Sequence, residues 1–115
     1  MELYEEIENL MNELTQSIKL LRKKGTELAE AERDYKVSLR QEALKLRTVE
    51  EMPVTLINQI VYGVPAVAER RFRRDVAEAT YKANQEHINV TKLKLRILES
   101  QLQREWGDAN RQYNA

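Results

Sequence analysis

Apolar residues in the first part of the chain fall at Leu3, Ile7, Leu10, Met11, Leu14, Ile18, Leu21, Leu28, Tyr35, Leu39, Ala43 and Leu46. The steps are built from threes and fours, the spacing of one helical face. At about 100° per residue these positions share roughly one third of the circumference. The pattern predicts a single long helix over residues 1–47 with one apolar stripe. Ile7, Leu14, Leu21, Leu28 and Tyr35 are spaced by seven, which is coiled-coil spacing. A helix of that length spans about 70 Å. Gly25 and Glu32 interrupt the stripe. Glycine weakens a helix interior by about 1 kcal/mol against alanine, so Gly25 marks either a tolerated weak point or a close helix approach.

The second long segment, residues 66–106, has a different pattern. Phe72, Val76, Ala79, Ala83, Val90, Leu93 and Ile97 form one apolar set, and Tyr81, Ile88, Leu95, Leu98, Leu102 and Trp106 form another. On a helical wheel the two sets lie nearly opposite, with Lys82, Gln85, Asn89, Arg96 and Gln103 filling one gap. A helix apolar on two faces needs two neighbours, and the first arm supplies one. The pattern therefore predicts self-association, most simply a symmetric dimer. Tyr81, Ile88, Leu95, Leu98 and Leu102 are assigned to the interface between copies.

Between the arms, residues 48–65 contain both prolines of the chain, Pro53 and Pro65, and Gly63. Proline lacks an amide hydrogen and pushes the residue before it out of the helical region. Val54 to Tyr62 is predicted to form a short helix with Pro53 at its first position, ended by Gly63 in the left-handed conformation. The segment is too apolar for a solvated loop. Leu56, Ile57, Ile60, Val61 and Tyr62 either cap the bend or form a partner-binding surface. The expected fold is all-α: a long antiparallel, coiled-coil-like helical hairpin with a short helix or knot at the bend, assembled into a dimeric bundle. Residues 107–115 are expected to leave the helix at Gly107 as a flexible tail, and the chain forms one domain overall.

Composition narrows the function more than the fold. One third of the 115 residues is charged, and cysteine is absent, which excludes disulfides and thiolate zinc sites. The net charge is zero, so the molecule as a whole is no electrostatic nucleic-acid binder. The acidic start, Glu2, Glu5 and Glu6, is wrong for a signal peptide. No apolar run approaches the roughly 20 residues of a membrane span. The expected setting is a reducing cytoplasm, without membrane contact. Glu2, Glu5, Glu6, Glu8 and Glu13 would lie beside Lys92, Lys94, Arg96 and Arg104 in an antiparallel hairpin, although exposed pairs add only about 0–1 kcal/mol each.

The densest charge cluster is Glu69-Arg70-Arg71-Phe72-Arg73-Arg74-Asp75. Arg70, Arg71, Arg73 and Arg74 are candidates for phosphate contacts on nucleic acid; the competing reading is a solvated helix face neutralised by Glu42, Glu50, Glu51, Glu69 and Asp75. The pattern contains no catalytic residues, no phosphate loop, no nucleophile elbow and no metal set. The acidic run Glu27, Glu30, Glu32, Asp34 lacks the Glu-x-x-His spacing of di-metal bundles, because Glu86 and His87 are adjacent. His87 is expected to pack at the rim of an apolar face. Trp106, the single tryptophan, is expected at a core edge. No cofactor is implied, and no enzyme is expected.

The runs Met52-Pro53-Val54-Thr55-Leu56-Ile57, Ala68 through Ala79, Ile88-Asn89-Val90 and Gln103-Arg104-Glu105-Trp106-Gly107 resemble a family of small proteins encoded by phages and prophages of Gram-positive bacteria. The resemblance covers roughly Leu21 to Gly107. It carries over no functional residues. It implies the host cell cytoplasm during infection, and a protein that binds host or phage machinery. Two functions follow as expectations: a non-enzymatic interaction protein that modulates a host or defence protein, or an accessory nucleic-acid-binding protein in phage DNA replication or recombination.

Overall fold

The computed structural model describes residues 2–114. They form helix α1 (Glu2–Thr48), a short helix α2 (Val54–Ile60), a 3-10 turn (Val61–Gly63) and helix α3 (Pro65–Asn114). There is no strand among the described residues. The chain is all-helical with two long helices, as the periodicity predicts. Glu2 and Glu5 occupy the first turn of α1, and Lys45 and Arg47 its last. Each charge complements the helix dipole at its own end.

The way α1 ends differs from expectation. Val49 and Glu50 N–H both donate to the Lys45 carbonyl, at 2.8 and 3.3 Å, and Met52 N–H donates to Leu46 O at 3.0 Å. Glu51 carries the left-handed conformation, φ 52, which a side chain disfavours by roughly 1–2 kcal/mol. Arg47 Nη1 donates to Met52 O at 3.2 Å and ties the turn down. Gly63 was expected to be the left-handed residue, but no glycine has positive φ. Pro65 holds Val64 extended, φ −63 and ψ 127, so Val64 redirects the chain and Gly63 stays within the 3-10 turn. Pro53 is likewise a cap and not the first helical residue. Its own backbone is extended, while its carbonyl accepts from Leu56 and Ile57 N–H, both at 3.0 Å.

The expected stop at Gly107 is also corrected, since α3 continues to Asn114; Ala115 lies outside the described residues. A glycine costs a helix about 1 kcal/mol, which is too little to stop one when no proline follows and Ala109, Arg111 and Gln112 are adequate helix formers.

The residues fall into two compact groups: residues 23–82, and those up to Arg22 with those from Ala83 onward. In the first group, Tyr35, Ile57, Val61 and Val67 are buried together, with Leu39, Ala43, Leu46, Met52 and Val64 packed against them. The α1 and α3 segments of this group run antiparallel. Gly25 lies near Tyr81, and Tyr35 lies under Arg74. A Cβ built on Gly25 would stand 3.4 Å from Tyr81 Cε2, an ordinary contact, so the surroundings of Gly25 fit a tolerated weak point and do not demand a glycine.

In the second group the segments are again antiparallel. Asn84 Nδ2 donates to Ser17 O at 3.0 Å, and His87 Nε2 stands 3.0 Å from Glu13 Oε1. Ile7, Ile88, Leu95, Ser17 and Thr91 are buried here. The Thr91 hydroxyl donates to His87 O at 2.8 Å, so its burial leaves no polar atom unsatisfied.

The two apolar faces of α3 have exchanged roles relative to expectation. Ile88 and Leu95 are buried, and Tyr81, Leu98 and Leu102 are half-buried. These five residues, assigned to a second copy, form the inward face of α3 within their groups. Phe72, Val76, Val90, Leu93 and Ile97 are exposed instead. The wheel shows that two faces exist but not which one α1 takes. The deciding pattern is Val67, Arg74, Tyr81, Ile88, Leu95 and Leu102, spaced by seven, in which Arg74 masks an otherwise apolar repeat.

Candidate functional site

The connector is built by its two prolines. With only seven residues in α2, one face packs and the other does not. Ile57 and Val61, four apart, are 5 % and 3 % exposed and belong to the core. Leu56 and Ile60, also four apart, are 41 % and 39 % exposed, as is Tyr62 at 44 %. The five candidate residues thus divide into two that cap the bend and three that face outward, joined by exposed Val54. Ile57 and Val61 therefore cap the bend, and Leu56, Ile60 and Tyr62 are apolar side chains left exposed beside them.

The four candidate arginines follow on the first turns of α3. Arg73 Nε pairs with Glu69 Oε1 at 3.0 Å. Arg74 Nε donates to Asp75 Oδ1 at 2.8 Å, and its guanidinium lies 4.8 Å from the centre of the Tyr35 ring. The hydrogen bond to Asp75, aided by the charges of Asp75 and Glu32, raises the Arg74 pKa above its ordinary value. Arg74 is therefore a permanent cation lodged in the inward face. Arg71 lies 5.6 Å from the Tyr62 ring centre, and Arg70 Nη1 donates to Ala66 O at 3.3 Å. Nearby, Lys36 pairs with Glu32 at 3.5 Å and Lys45 with Glu42 at 3.4 Å. Each arginine already has a partner in the chain, which weakens the phosphate reading.

A groove of ≈ 650 Å³ runs beside these arginines. Glu27, Glu30 and Asp34 line it together with Arg33, Arg70 and Arg73. The balance of three acids and three bases gives no net field for an anion. Arg33 is itself 3.2 Å from Asp34. Elsewhere His87 sits half-exposed against Glu13, a rim position as expected, with no nucleophile between them. No cluster of three His, Asp or Glu side chains suited to a metal exists among the described residues. No helix among them is long and apolar enough to cross a membrane.

Comparison with protein-family models, with curated proteins and with solved structures finds no match to the chain. The site therefore stands on its own geometry.

Sequence reasoning misplaced two apolar features that are exposed. The first is the Phe72–Ile97 face of α3. The second is Tyr4, Met11 and Ile18 on α1, spaced by seven and all exposed. Met11 and Ile18 were counted in the buried stripe of α1. They lie one position past Leu10 and Ser17, and that offset of about 100° turns them out of the contact. Trp106, expected at a core edge, is also exposed.

Proposed function

We propose that the protein is a non-enzymatic interaction protein: one continuous antiparallel hairpin, self-associated as a dimer, that presents its connector to a protein partner. The observation that carries this reading is the division of the connector. Ile57 and Val61 fix it rigidly to the core, while Val54, Leu56, Ile60 and Tyr62 remain exposed within nine residues of chain. A short apolar surface held on a rigid base suits an anchor that enters a pocket on a folded protein. The setting, a host or defence protein of a phage-infected bacterium, rests on the sequence resemblance alone. The nucleic-acid reading is the weaker one, because the four arginines are engaged within the chain.

The test is comparative capture from infected and uninfected bacterial lysates, using the parent and a Leu56→Asp/Ile60→Asp variant. A specific protein held by the parent should be lost by the variant while helix content and melting stay unchanged. Equal capture by both proteins refutes the connector as the binding surface. Tight, salt-dependent duplex DNA binding that disappears when Arg70, Arg71, Arg73 and Arg74 become glutamine would move the assignment to nucleic acid.

A further inference from the structure

The exposed face of α3 is itself written as a coiled-coil seam. Positions 72, 76, 79, 83, 86, 90, 93 and 97 alternate steps of four and three without a break, and Glu86 is the only polar residue among them. Phe72 is 63 % exposed, and Val76, Val90, Leu93 and Ile97 are exposed as well. A soluble chain rarely leaves so regular a repeat in water.

We propose that this seam pairs with its own copy, antiparallel, in the register that sets Phe72 against Ile97 of the second copy, Val76 against Leu93, Ala79 against Val90, and Ala83 against Glu86. The proposal deepens the self-association read above and identifies its surface. Two features favour a second copy over a foreign helix. The first is that the seam is self-complementary in this register. Large side chains meet at both ends and alanines meet Val90 and Glu86 in the middle, so the polar residue never faces a large apolar one. Sliding by one heptad sets Glu86 against Val90 or Val76 and replaces the end layers by polar residues or Pro65.

The second feature is charge. The same register brings Asp75, which also holds Arg74 of its own chain at 2.8 Å, beside Arg96 of the second copy, and Glu86 beside Lys82, each twice by symmetry. Opposite charges at flanking positions set the orientation and alignment of paired helices. Neither Glu86 nor Arg96 has an ion-pair partner among the described residues of its own chain. Lys82 holds Glu78 at 3.0 Å, one turn from Glu86. Arg73 and Lys94 meet with like charge on the other flank, but Glu69 already neutralises Arg73. An isologous contact of this kind closes as a dimer.

Sedimentation and light scattering on the full chain test it. The parent should run at twice 13.5 kDa, and Leu93→Glu should run at the single mass with helix content retained. Because the chain has no cysteine, register can be read directly. An Ala79→Cys/Val90→Cys variant should oxidise to a covalent dimer, whereas Ala79→Cys/Ile97→Cys, one heptad out of register, should not. A parent monomeric at high micromolar concentration, a dimer indifferent to Leu93→Glu, or equal cross-linking of both double variants overturns the pairing. A monomeric parent whose connector variant still loses its captured protein would overturn this proposal alone. A dimer whose connector variant loses nothing would overturn only the connector reading.

Discussion

Leu93 and Leu95 are the same residue two positions apart on the same helix, so truncating each isolates burial from every other variable. Helix propensity and local backbone change identically in Leu93→Ala and Leu95→Ala. Leu95 is 7 % exposed and Leu93 is 53 % exposed. Buried leucine-to-alanine changes cost about 2–5 kcal/mol, the spread reflecting how well the site can collapse. A contact between two helices with solvent on both flanks relaxes more easily than a deep core. The lower part of the range applies to Leu95, about 2–3 kcal/mol. An exposed position away from special features costs about 0.5 kcal/mol or less. For a chain of this size, about 2–3 kcal/mol lowers the melting temperature by roughly 10–20 °C. Circular dichroism melts and urea titrations should be run on both variants at low and high protein concentration. In dilute samples Leu95→Ala should melt far below the parent, and Leu93→Ala close to it. The Leu95→Ala deficit should not change with concentration, since the contact it breaks lies within one chain. Equal losses at the two sites in dilute protein, or a Leu95→Ala deficit that grows with concentration, would refute the assignment of the inward face.

Gly25→Ala should stabilise the protein by up to about 1 kcal/mol, because the added methyl meets Tyr81 at ordinary contact distance and the helix gains propensity; a loss in urea titration would show that Tyr81 cannot give way. Gly107→Ala should raise helix content measured by circular dichroism without changing the main melting transition, since a Cβ there meets no atom within 4 Å. A drop in helix content would contradict the continuous helix through that position.

The two long helices and the break between them were legible because period and proline act locally. Stripes spaced by seven need no partner to be recognised, and Pro53 and Pro65 stop helices whatever surrounds them. The inward face of α3 was not legible. Both of its faces repeat by seven, and the one α1 takes includes Arg74, Asn84 and Thr91, which a search for apolar residues passes over. Thr91 is buried by satisfying its hydroxyl within its own helix, and Arg74 is half-buried by lying over Tyr35; neither arrangement leaves a trace in hydropathy. The connector was read correctly as apolar, but its division into Ile57 and Val61 inside and Leu56, Ile60 and Tyr62 outside depends on how α2 docks. Glu51 shows the same limit, since its left-handed backbone is imposed by the bonds that close the end of α1 and not by residue type.

The bond from Asn84 to the Ser17 carbonyl has a consequence for how the two helices find their alignment. Leucines along a regular repeat tolerate sliding by seven residues, because each level resembles the next. An amide that reaches a backbone carbonyl across the contact does not. A slide that brought Asn84 level with Leu10 would strand its polar end against an apolar side chain. The small serine that lets the amide through acts as a notch, and the asparagine as the tooth that fits it. Replacing Ser17 and Asn84 with leucines would remove this check on alignment and leave the levels to be told apart by the remaining contacts, Glu13 with His87 among them.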